Sequence, residues 1–158
     1  MRFFTSKYKK EKTNSFVLST TLAYTALLIY WMFFGFERIT YTDYNYNLIP
    51  FKAICSFFEA NTGYVKNMSD MAKKEFWYFA VNIFGNIGVF IPFGILLPIL
   101  FNGCFKKACV VFGIGILMLE TAQLISRRGV FDVDDILLNT IGFIIGYAML
   151  RRGDNHFK

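Results

Sequence analysis

Residues 76–101 read FWYFAVNIFGNIGVFIPFGILLPILF, a stretch without a single charged side chain. A helix rises about 1.5 Å per residue, so about 20 such residues cross a hydrocarbon core about 30 Å thick. Lipid offers the backbone no hydrogen-bond partner, and a run of this kind therefore folds as a helix. Residues 15–36 (SFVLSTTLAYTALLIYWMFFGF) repeat the pattern, and residues 108–126 do so with Glu120 as their one charge. Residues 136–150 make a fourth run, which takes in part of 130–135 to reach full length. The expected spans are about 15–36, 76–101, 108–126 and 132–150. They leave no room in 158 residues for a separate soluble unit, so residues 1–158 are expected to form a single membrane domain. With 55% hydrophobic, 20% aromatic and 18% charged residues, the composition also excludes a soluble globular domain.

Charge orients the spans, because cytoplasmic segments accumulate Lys and Arg. With the N-terminus inside, the tail (Arg2, Lys7, Lys9, Lys10, Lys12), the loop at Lys106 and Lys107, and Arg151, Arg152 and Lys158 all lie in the cytoplasm, ten of the 17 basic residues. Only Glu11 and Asp154 accompany them, whereas Glu37, Asp43, Glu59, Asp70, Glu75, Asp132, Asp134 and Asp135 lie outside. Both termini are expected in the cytoplasm of a multi-pass protein, the first span being a retained anchor that is too long for a signal peptide's apolar core. The net charge of +6 then faces the anionic inner leaflet and does not imply nucleic acid as a partner. Cys55, Cys104 and Cys109 show neither metal-ligand nor disulfide spacing.

In the long outer segment, NLIPFKAICSFFEA sets Pro50 ahead of Phe51, Ile54, Cys55 and Phe58, spaced as one helical face. This predicts a short helix on the outer surface, with an ordered loop as the alternative. The expected fold is an all-α integral membrane protein, a four-transmembrane-helix bundle with a short interfacial helix in its first outer loop.

Polar groups inside a membrane are costly, so their positions carry functional information. Asn82 and Asn86 lie one turn apart in the outer half of span two. Glu120 and Gln123 share a face toward the outer end of span three. Asp132, Asp134 and Asp135 stand at the mouth of span four, with Asn139 one turn below Asp135. Three spans thus bring polar side chains to one depth, beneath Arg127 and Arg128 in the turn between spans three and four. Amides in such helices also serve simply to join helices, at about 0.6–2 kcal/mol each. A carboxylate at the depth of Glu120 costs on the order of 3 kcal/mol or more unless it is paired or protonated, which favours a pairing or functional role. The aspartates could cap span four, a role that suits one of them better than three. Gly142 and Gly146 form GxxxG, Gly113 and Gly115 offer a second small face, and Pro92 is expected to kink or break span two. No HExxH, GxSxG or P-loop motif is present.

Taken in order, NLIPF (47–51), NIGVFIPFGILLP (86–98), ETAQ (120–123) and RRGVFDVDDILLNTIGFIIGY (127–147) resemble the VanZ-like family of bacterial membrane proteins, over about residues 45–150. The resemblance implies a protein of the bacterial cell membrane, related to an accessory protein that lowers susceptibility to teicoplanin by an unestablished activity. The family's polar positions fall on Asn86, Glu120, Gln123, an arginine at 127 or 128, Asp132, Asp135 and Asn139. No cofactor and no metal are expected, while the catalytic residues, the natural ligand, the oligomeric state and whether the aspartates bind a metal stay open.

Three functions stay open. An outward-facing polar pocket could handle a lipoglycopeptide antibiotic or another envelope lipid. A membrane hydrolase or transferase could act on a lipid-linked envelope precursor, with Glu120 as general base and the aspartates on a divalent cation. A structural or partner-binding protein would use the polar cluster to hold its own bundle together.

Overall fold

A computed structural model describes residues 2–35, 40–51 and 70–156, with side chains for 14–35, 40–51 and 76–152. The element order is α1 (Arg2–Phe34), β1 (Tyr46–Asn47), α2 (Asp70–Leu100), α3 (Phe105–Ser126), β2 (Phe131–Asp132) and α4 (Val133–His156). Four stretches within the helices are long and apolar enough to cross a membrane: Asn14–Phe34, Phe76–Leu100, Phe105–Ser126 and Val133–Arg152. The four-helix membrane architecture expected from the apolar runs is the one found. The third stretch begins three residues earlier than residue 108, with Lys106 and Lys107 exposed in its first turn, where long basic side chains can reach the interface.

Helices α2 and α4 make the closest pairing, and glycine is the reason. A β-carbon placed on Gly142 would collide with the Ile87 carbonyl, and one on Gly146 with the Ile91 carbonyl. Gly94 returns the fit, since a β-carbon there would strike the Phe143 carbonyl. Backbones approach this closely only where side chains are missing, and in lipid such packing supplies much of the association energy. Gly113 and Gly115 do not act this way, because nothing lies within 4 Å of where their β-carbons would be.

Pro92 does not break α2, which runs unbroken through both Pro92 and Pro98. It removes the N–H that would bond Gly88, and the neighbouring Val89 carbonyl accepts a 2.9 Å hydrogen bond from Tyr24 of α1. The Tyr24 ring also lies 5.3 Å from Phe93, so α1 docks mainly on α2. The core is aromatic: Phe112 stacks on Phe143 at 4.4 Å and meets Phe90 edge-on at 5.9 Å, while Phe105 stacks on Tyr147 at 4.1 Å.

The apolar runs did not foretell the parallel two-strand pairing of β1 with β2, in which Tyr46 faces Phe131 and Asn47 faces Asp132. It lays the start of the long α1–α2 loop over the α3–α4 turn. Pro50 and Phe51 form a turn, with Phe51 in the left-handed region (φ 62°). Residues 52–69, where most of the interfacial helix is expected, lie outside the described residues.

Candidate functional site

At one end of the bundle, α1, α2, α3 and α4 enclose a cavity of about 430 Å³ lined by Asn82, Asn86, Glu120, Gln123, Asp132, Asp135 and Asn139. All seven were singled out in the sequence. Trp31 of α1 and Tyr41 of the α1–α2 loop also line it, and no polar periodicity marked either of them. Exposed Asn82, Val81, Trp31 and Tyr41 form its rim, and buried Glu120, Gln123, Asn139 and Phe90 form its floor. Glu120 is 1% exposed and Asn139 2%, so the two costliest side chains sit deepest.

The three aspartates do different jobs. Asp132 caps α4, its Oδ1 accepting the Asp134 N–H at 2.8 Å and the Asn47 amide at 3.0 Å. Asp134 turns toward the α1–α2 loop and accepts the Phe51 N–H. Asp135 faces the cavity and accepts the Asn86 amide, which also approaches Asn82 Oδ1 at 3.4 Å. On the floor, Glu120 Oε2 accepts the Asp132 N–H at 3.3 Å. Among the described residues the buried Asn139 Oδ1 has no hydrogen-bond partner, an arrangement that costs free energy until a donor reaches it.

Neither Arg127 nor Arg128 is among the described residues lining the cavity, although both were candidates for it. The cause is the end of α3. Arg127 adopts the left-handed conformation (φ 57°) that closes the helix, and the N–H groups of Arg127 and Arg128 return to the carbonyls of Leu124 and Gln123. Both half-buried side chains engage the neighbouring loop and the end of α1. Arg127 donates to the Thr42 carbonyl at 3.2 Å and lies over the Tyr44 ring at 4.7 Å. Arg128 donates to the Phe33 carbonyl at 2.8 Å and lies over the Phe34 ring at 4.9 Å, tying down the end of α1. Gly129 follows because a β-carbon there would press on the Gln123 side chain. Among the described residues no three of His, Cys, Asp and Glu are grouped to hold a metal ion.

Beside the polar cavity runs an apolar cleft of about 690 Å³ between α1, α2 and α3, lined by residues such as Ile29, Phe93, Leu97, Gly115, Ile116 and Leu119. Leu28 and Phe90 line both spaces.

The VanZ/LLP1 family profile matches residues 21–153. This chain belongs to the VanZ/LLP1 family. It is similar to Protein VanZ of Enterococcus faecium, with 28% identity over 142 residues that cover 85% of this chain and 73% of the relative. No solved structure matches it. In this VanZ/LLP1 chain the separate motifs turn out to be neighbours. NLIPF meets the DVDD run through Asn47 with Asp132 and Phe51 with Asp134, and the asparagine that opens NIGVFIPFG meets Asp135. In the sequence Asn47 stands only as the first letter of a motif. Its partner lies 85 residues away, a separation that no local spacing can signal.

Proposed function

We propose that this VanZ/LLP1 protein receives a membrane amphiphile from the outer face of the bacterial cell membrane, the head entering the polar cavity and the acyl chain the apolar cleft. By holding such a molecule it lowers susceptibility to teicoplanin-type lipoglycopeptides or handles a lipid of the cell envelope. One observation carries this: a polar space and an apolar space, both within the range of small-molecule sites, share Leu28 and Phe90 as a common wall. An amphiphile has the same two parts joined at one point. The buried, acceptor-rich floor supports a ligand role over plain helix joining, since a joint between helices leaves no acceptor such as Asn139 Oδ1 unmet.

The test is drug susceptibility in a sensitive host expressing the protein. Glu120→Gln and Asp135→Asn are expected to abolish any protection against teicoplanin while each variant accumulates in the membrane at the wild-type level. Full protection by both variants would exclude the cavity from the function.

A further inference from the structure

We infer that the head group this cavity accepts is a primary ammonium and not a phosphate, an inference that rests on the amphiphile reading above and specifies its ligand class. Glu120, Asp132 and Asp135 all line the space, and no described lining residue is basic. The two cations nearest in sequence are spent elsewhere, Arg128 on the Phe33 carbonyl and Arg127 on the Thr42 carbonyl. A phosphate placed here would face carboxylates across a low-dielectric gap with no counter-charge among the described lining residues, and that repulsion is strongest where water is excluded.

The hydrogen-bond inventory points the same way. Carboxylates only accept, and the Asn139 Oδ1, in a residue 2% exposed, is an acceptor with no donor among the described residues. The Asn86 amide is already donated to Asp135. Among the described partners, Glu120 has one long bond at 3.3 Å. The described floor therefore offers no cation and only the neutral carboxamide N–H groups of Gln123 and Asn139, whereas an ammonium brings three donors together with a positive charge. A quaternary ammonium would satisfy the charge and leave the acceptors unmet.

Wild-type protein carrying Trp77→Phe, so that cavity-lining Trp31 reports alone, is placed in phosphatidylcholine nanodiscs. It is titrated with dodecylammonium, dodecyltrimethylammonium and dodecyl phosphate, and empty nanodiscs correct for partitioning. Dodecylammonium is expected to half-saturate the Trp31 signal at least about tenfold below dodecyl phosphate, with the trimethyl compound between them. Glu120→Gln is expected to erase the difference. Equal or tighter binding of dodecyl phosphate that still depends on Glu120 overturns the head-group inference and leaves the amphiphile reading standing. Equal signals from all three probes in wild type and Glu120→Gln alike would end both. A Trp31 response to millimolar Mg²⁺ alone, with displacement of dodecylammonium, would reassign the carboxylates to a metal and overturn the inference. Should Glu120→Gln fail to accumulate, the order of the three probes on the wild-type cavity decides.

Discussion

Arg127 and Arg128 are adjacent in sequence and have unequal tasks. Arg128 reaches a helix-end carbonyl at 2.8 Å from a half-buried position, and a charged hydrogen bond of this kind contributes about 1.5–3 kcal/mol. Arg127 contacts an exposed loop, at 3.2 Å to Thr42 and 3.5 Å to the Tyr44 hydroxyl, where solvent competes and the net worth falls below about 1 kcal/mol. Arg128→Ala is accordingly expected to lower the melting temperature of the nanodisc-embedded protein clearly, and Arg127→Ala to lower it little. The reverse ranking in thermal melts would mean that α1 is not tied down through Phe33. The sequence marked both arginines as candidates for the polar cluster, and their true direction was not legible in it. A left-handed residue at Arg127 ends the helix, and that choice belongs to the backbone, where no spacing of residue types records it. Glu120, Gln123 and Asn139 were legible because an expensive group in a membrane helix must find a polar neighbour, and helical rise alone fixes its depth.

Among the elements, glycine separates the seams that pack from the surfaces that stay open. In α2 and α4, Gly94, Gly142 and Gly146 admit a backbone carbonyl where a side chain would stand, so Gly146→Val forces the helices apart. Overpacking of this sort costs about 1–3 kcal/mol, and loss of folded protein in detergent solubility and melting assays is expected. Helix α3 behaves differently. Gly115 lines the apolar cleft with open space where its β-carbon would be, and replacing glycine in a helix removes a penalty of about 1 kcal/mol. Gly115→Leu is therefore expected to keep or raise the melting temperature while it narrows the cleft, weakening long-chain ligands more than short-chain analogues of the same head group. Equal weakening of both chain lengths would show that the cleft does not hold the chain. GxxxG in α4 was readable as a packing face, whereas Gly113 and Gly115 of α3 stand two residues apart and do not share a helical face. Whether a partner helix arrives is a property of the assembled bundle.

At the scale of the whole molecule, sidedness decides which solution the cavity meets. The positive-inside rule assigns both termini to the cytoplasm, yet it leaves seven basic residues outside. The structure accounts for two of these exceptions, since Arg127 and Arg128 are engaged by loop and helix-end carbonyls and aromatic faces and so serve as local fasteners. With them set aside, the bias toward the termini and the Lys106–Lys107 turn grows stronger. The cavity lies at the end that carries the α3–α4 turn and the first long loop, opposite the turn at Asn102–Cys104. It follows that Thr42→Cys, made in a background with Cys55, Cys104 and Cys109 replaced by alanine, reacts with a membrane-impermeant maleimide on intact cells. Lys7→Cys and Lys158→Cys are expected to react only after the membrane is opened. Should the termini label first and Thr42→Cys stay protected, the carboxylate-lined cavity would face the cytoplasm. A drug or envelope lipid arriving from outside would then have to cross the bilayer before reaching Glu120, and the proposed ligand would have to be sought among the amphiphiles of the inner leaflet.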